Sequence, residues 1–200
     1  MKMRSVTSLP TELSEQVLLQ ADPNTLVSLC GTSLQYRSIC SGPFFWRIRF
    51  EQEGLPLLEQ GDNAQEWIRI YQKSHRVAQL AEDYLEEGSK IIFGQINLDE
   101  LSKIAPGLVK TYIRQEKERQ ELLQERKLLE EENADKDVID DLEVALQIIP
   151  EYSLVMRNEG NTYALDNLLY VPLERDYEYM VIQRGLTPKQ AFELLFTLLY

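Results

Sequence analysis

Apolar residues along most of this chain recur at three- and four-residue steps, the spacing of one helix face. Leu9, Pro10, Leu13, Val17 and Leu18 form a first short stripe that breaks at Asp22 and Pro23. Leu26, Leu29 and Cys30 form a second stripe and Tyr36, Ile39 and Cys40 a third; Gly42 and Pro43 then interrupt before Phe44, Phe45, Trp46 and Phe50. From Asp62 the positions Trp67, Ile68, Tyr71, Val77, Leu80, Ala81, Tyr84 and Leu85 keep helical steps until Gly88, which predicts one amphipathic helix of about seven turns. A shorter helix from Leu98 to Ala105 stops at Pro106 and Gly107, and a long one runs from Leu108 to about Glu132. Val138, Ile139, Leu142, Leu146 and Ile149 predict another helix ending at Pro150, antiparallel to the long one.

Residues 151–173 admit two readings. Tyr152–Met156 and Thr162–Leu165, around a turn at Asn158, Glu159 and Gly160, fit a small β-hairpin, while Leu168, Leu169, Tyr170 and Val171 also permit a helix. Tyr177, Met180 and Val181 share a helical face before Gly185, and Ala191, Phe192, Leu194, Leu195 and Leu198 share another after Thr187. Asp22–Pro23, Gly42–Pro43 and Thr187–Pro188 each set a capping or small residue before proline at a first helical position. Asp62 with Gln65, Asn97 with Glu100 and Thr187 with Gln190 have the three-residue offset of a capping box or a close variant. The expected fold class is all-α, mainly helical, with at most one small β-hairpin. Three short helices in 1–53 are followed by a helical domain over 54–200.

Composition narrows the chemistry. The chain has 200 residues, 44% of them apolar, enough for a sizeable core. Its 33 acidic and 21 basic side chains give a net charge of −12, which argues against gripping phosphate backbones, so no nucleic-acid partner is expected. Half of that charge lies in residues 114–149, with twelve acids and six bases, which reads as a solvated helix braced by opposite charges. Leu122 and Leu129 are seven apart but the preceding step reaches Gln115, too short a heptad for a self-associating coiled coil. No apolar run is long enough to span a membrane, and the first residues lack a secretory signal, so no membrane partner and an intracellular location, cytoplasm or nucleus, are expected.

Two cysteines, Cys30 and Cys40, sit on apolar faces and are expected as packed thiols, too few for a disulfide framework or a thiolate metal site. His75, the single histidine, falls on the polar side of its helix; alone it makes a histidine triad or a zinc centre a poor expectation. There is no GxGxxG, no P-loop, no HExxH and no GxSxG. No cofactor is expected and the chain is not expected to be an enzyme. A metal-assisted active site would have to draw on Asp140, Asp141 and Glu143, which beside Asp137 read more simply as the acid-rich first turn of a helix.

Between Leu9 and Trp46 lie fourteen large apolar residues, more than a unit of that size hides by itself. The segment resembles an F-box: Leu9 and Pro10, then Glu12 and Leu13; paired aliphatics Val17 and Leu18; the Asp22–Pro23 break; Leu26 and Leu29; the aromatic Tyr36; and Pro43 shortly before Trp46. It is similar in style to F-box-like modules encoded by large DNA viruses of protists, and departs from cellular ones in having Thr32, Ser33 and Leu34 where valine, cysteine and arginine are common. The resemblance implies an adaptor that docks on a Skp-type linker, and through it a cullin, and recruits a protein substrate to a ubiquitin ligase, in the host cell if viral. Residues 1–53 would be the F-box and 54–200 the recruiting region. Leu9, Pro10, Leu13, Leu18, Leu26 and Leu29 would face the linker, while Val17, Tyr36, Ile39 and Trp46 would be interior. The rival reading is an all-helical protein–protein interaction scaffold with no ligase role, in which Leu9, Pro10 and Leu13 are covered by residues beyond 54.

Overall fold

The computed structural model describes residues 10–200, and Leu9 lies outside them. Four short helices come first: α1 (Thr11–Gln20), α2 (Pro23–Thr32), α3 (Leu34–Cys40) and α4 (Pro43–Glu53). A long helix follows, α5 (Ala64–Glu87), then strand β1 (Lys90–Ile92), a 3-10 turn, α6 (Leu98–Ile104), α7 (Pro106–Glu131) and α8 (Lys136–Ile148). Strands β2 (Glu151–Asn158), β3 (Tyr163–Val171) and β4 (Asp176–Leu186) precede the last helix, α9 (Pro188–Leu199). The chain divides within α5 into two compact units, Met1–Gln79 and Leu80–Tyr200.

In the first unit the proline breaks act as the sequence leads one to expect. Asp22 accepts hydrogen bonds from the backbone N–H of Asn24 and Thr25 and starts α2 with Pro23 behind it. These interactions hold its carboxyl below the ordinary carboxylate value, the Thr25 hydroxyl contributing most. Leu18, Leu26, Phe45, Trp46 and Phe50 form the core, and Trp67, Ile70 and Tyr71 of α5 complete it. Trp67 stacks on Trp46 with ring centres 6.0 Å apart, and the Trp46 indole N–H donates to the Cys40 carbonyl at 2.7 Å. The unit therefore reaches Gln79 rather than stopping near 53, because the short helices need α5 to bury their aromatics. At the entry to α5 it is Asn63, not Asp62, whose side chain accepts from the backbone of Gln65 and Glu66.

Cys30 and Cys40 are bonded to each other, with Cα atoms 5.9 Å apart, and are not the packed thiols expected. Two thiols ten residues apart on neighbouring helices are not distinguishable from packing groups by periodicity; only the docking of α2 on α3 brings them together.

The second unit overturns the all-α expectation. Its centre is a four-stranded antiparallel sheet in the order β1-β2-β3-β4. The hairpin reading holds for β2 and β3, which extend through Leu168–Val171, where a helix was the other option. Their turn uses Gly160 at φ 93, whose N–H donates to the Asn158 side chain at 2.7 Å. Residues 176–186, expected as a helical face, form β4: Tyr177, Met180 and Val181 fit helical steps, yet Tyr177, Tyr179 and Val181 also alternate, and pairing with β3 decides for the strand. Nothing local in the sequence marks β1, whose three residues are too few to show a period.

One face of the sheet, with Ile91, Leu154, Met156, Leu165 and Leu186, packs on Leu101 of α6, Leu108 and Val109 of α7, and Ala191, Leu195 and Leu198 of α9. The other face curls, since Lys90 on one edge strand reaches to 4.2 Å from the Tyr177 ring on the other. The α7–α8 hairpin is antiparallel as expected, with Arg126 meeting Glu143 and Arg119 donating to the carbonyls of Ile149 and Pro150. Thr187 and Gln190 form the complete capping box that starts α9.

Candidate functional site

The residues expected to face a linker are divided by the fold. Leu18 and Leu26 are fully buried and Leu29 packs partly against the same core, so Leu18 and Leu26 belong to the interior and are not contact residues. The reason is helical phase: Leu18 shares the face of the buried Ser14, more than a quarter turn around α1 from Leu13 and Val17, and it meets Trp46 and α5 residues within one cluster. Val17, expected inside, is 43% exposed, whereas Trp46 is interior and Tyr36 and Ile39 pack against the core. Pro10 is exposed and Leu13 is 47% exposed, so neither is covered by residues beyond 54. Pro10, Leu13 and Val17 thus form an open stripe at three-, four- and seven-residue spacing along α1. Leu34 and Phe44, at the starts of α3 and α4, are 83% and 68% exposed in the same unit.

Two groups hold α1 so that this stripe faces outward. Ser14, buried beneath it, accepts a hydrogen bond from Gln35 of α3 at 3.0 Å. Arg49 of α4, also buried, donates through Nη1 to the Leu19 carbonyl at 2.6 Å, closing one of the open carbonyls at the C-terminal turn of α1. The rest of the guanidinium donates to the Tyr71 hydroxyl and pairs with Glu53, whose Oε1 lies 2.5 Å from Nη2. Tyr71 in turn donates to Glu53 at 2.8 Å, and His75 Nε2 lies 3.0 Å from the other Glu53 oxygen. Burial pushes the Tyr71 hydroxyl above its ordinary value, and the Glu53 carboxylate adds to the shift. The phenol therefore remains a neutral donor to Glu53.

His75, expected on the polar side of its helix, is the outer member of this network and packs edge-on against Tyr71 at 4.5 Å. Tyr71 and His75, with Pro23, Asn24, Val27 and Gln72, line a cavity of about 340 Å³. The sequence does not show the network because its members are 22 residues apart along the chain, from Arg49 to Tyr71 and from Glu53 to His75. The four-residue steps from Arg49 to Glu53 and from Tyr71 to His75 are the only local signal, one pair on each helix. Chemically the network is a brace: a paired cation, a carboxylate and a phenol satisfy one another away from water.

Charge separates the units as sharply as packing does. Residues 1–79 contain eight acids and eight bases, and residues 80–200 contain 25 acids and 13 bases, so the whole −12 lies in the sheet unit. No helix among the described residues is long and apolar enough to cross a membrane. Comparison with protein-family models, curated proteins and solved structures found no match for this chain.

Proposed function

We propose that the first unit is an F-box-like docking module whose α1 stripe binds a Skp-type linker, and that the sheet unit carries what is recruited to the cullin ligase. The observation behind this reading is the open row of Pro10, Leu13 and Val17 on a helix whose other side is locked in the core by Leu18, Ser14 and Arg49. Apolar side chains left in water on a braced helix suit a partner's groove, where a few central anchors carry most of the binding energy. The neutral charge of this unit favours such an apolar interface, and the rest of the chain stays strongly acidic.

The test is co-purification of the full chain with a Skp-type linker. Wild type is expected to bind, and Pro10→Ala combined with Leu13→Ala to weaken binding by about 2 kcal/mol or more, roughly thirtyfold. Equal binding by the double variant, or none by the wild type, overturns the assignment.

One observation favours a second reading, an interaction scaffold without a ligase role: the Cys30–Cys40 bond, because persistent disulfides belong to oxidising surroundings where cullin ligases do not work. Alkylation of the protein at the moment of cell lysis separates the two. Two labelled thiols accord with the adaptor, and none accords with the scaffold.

A further inference from the structure

The two edges of the sheet are unlike. β1 closes one side with three residues, whereas β4 closes the other with eleven, and no further strand pairs with β4 among the described residues. In an antiparallel sheet every second residue of an edge strand turns its N–H and C=O away from its neighbour. Native edges are shielded by shortness, proline, lysine, a bulge or a covering segment. β1 is shielded by its shortness. Residues 176–181 of β4 have no such shield. Their register runs unbroken from Asp176 opposite Val171 to Val181 opposite Asp166, with the bulges beyond it. They include no proline, lysine or arginine, and all six are exposed.

Alternation gives the two faces of this edge different chemistry. Tyr177, Tyr179 and Val181, opposite Tyr170, Leu168 and Asp166, share one face; Tyr179 is 67% exposed, and Tyr177 stacks on Tyr170 at 4.6 Å. Asp176, Glu178 and Met180 share the other. The Asp176 carboxylate accepts the Tyr177 N–H at 2.8 Å, and neither it nor Glu178 forms an ion pair among the described residues. Met180 borders a cavity of about 320 Å³ with Leu108 and Leu169 on its wall, which leaves room beside the strand for an apolar side chain.

We infer that the β4 edge receives an extended, basic segment of another protein as a fifth strand. Its β-branched or aromatic residues lie beside Tyr177, Tyr179 and Val181, its lysines or arginines opposite Asp176 and Glu178, and an apolar residue opposite Met180. Backbone hydrogen bonds supply the affinity in such strand addition, and alternate side chains supply the selectivity. Opposite charges directly across a strand pair stabilise it, and like charges oppose it. Charge therefore decides the occupant. A second copy would bring another unit of 25 acids and 13 bases, and an acidic segment would set carboxylates against Asp176 and Glu178, whereas a basic segment is drawn by the unit and by the edge alike. The site stands apart from linker docking, and its test contains no linker, so the two readings fail separately.

The experiment is a titration of the full chain with a labelled peptide, acetyl-Val-Ile-Val-Lys-Val-Lys-amide, at physiological salt, read by fluorescence anisotropy and by backbone-amide NMR. In antiparallel register its lysines fall opposite Glu178 and Asp176 and its isoleucine opposite Met180. Saturable binding is expected, with the amides of residues 176–181 shifted and protected from exchange. A peptide with glutamate in place of both lysines is expected to bind about tenfold more weakly. Glu178→Lys is expected to weaken the lysine peptide about fivefold and to strengthen the glutamate peptide, a reversal that a misfolded variant would not show. Strand addition has its own signature. Of two peptides carrying a single N-methyl group on the third or the fourth residue, one turns the blocked nitrogen towards β4 and is expected to lose about tenfold, while the other keeps its affinity. Absence of saturable binding, equal affinity for the lysine and glutamate peptides, or equal effects of the two N-methyl groups overturns the proposal. So does a free chain that sediments as a dimer with these amides already protected, which would assign the edge to a second copy.

Discussion

Arg49 shows how much of the first unit depends on single polar groups. Its guanidinium is removed from water and meets the Leu19 carbonyl, the Tyr71 hydroxyl and Glu53. Arg49→Ala would leave Glu53 without its cation and the end of α1 uncapped. It is expected to destabilise this unit by about 3–5 kcal/mol in urea denaturation. Tyr71→Phe keeps the ring and removes only the hydroxyl, so the expected loss is smaller, about 1–2 kcal/mol. No loss in Tyr71→Phe would mean that the ring, not the hydroxyl's place in the network, is what Tyr71 contributes. Asp22 supplies a pH dependence of known sign. Its folded carboxyl is depressed by Thr25 and Asn24, so its contribution is present above the ordinary carboxylate value and is lost as pH falls through the depressed one. Titration followed at the Asp22 carboxyl carbon should show its inflection below 3.8.

At the scale of elements, starts and turns were legible where a local rule applies. Pro23, Pro43 and Pro188 mark helix starts, and Gly160 marks the β2–β3 turn. Thr187→Ala, which removes half of the capping box, is expected to lower stability by about 1 kcal/mol. The same measure tests a less obvious joint. A Cβ on Gly61 would lie 2.8 Å from the Trp67 backbone nitrogen, so Gly61→Ala must displace the turn that feeds α5. Thermal denaturation should show a loss of about 1–3 kcal/mol, the usual range for overpacking. Little change would mean the turn relaxes freely. What local rules could not supply was β4. Its residues offer apolar positions at both two- and four-residue steps, and nothing within the segment weighs one period above the other.

At the scale of the whole molecule, two cores of different make share one chain, and a covalent link lies in only the first. The Cys30–Cys40 bridge closes a short loop, so its reduction is expected to cost about 2–3 kcal/mol in the chain-entropy account. Both tryptophans, Trp46 and Trp67, belong to that core, which makes their fluorescence its reporter. Reductant should therefore shift the fluorescence transition downward and leave hydrogen-exchange protection in β2 and β3 unchanged. A shift in both would show that the two cores unfold together.

What the sequence determined alone was mostly local: the helices that carry an uninterrupted amphipathic period, their caps and breaks, the charge of the α7–α8 hairpin, and an apolar N-terminal segment too rich to hide all its side chains. Each follows from residues within a few positions of one another, where backbone geometry sets which side chains share a face. Only the tertiary structure decided which apolar residues became core. It buried Leu18 and Leu26 while leaving Pro10, Leu13 and Val17 in water, joined Cys30 to Cys40, and gathered Arg49, Glu53, Tyr71 and His75. Those outcomes rest on pairings between segments distant along the chain, and the free energy of such pairings is defined only when both surfaces are present.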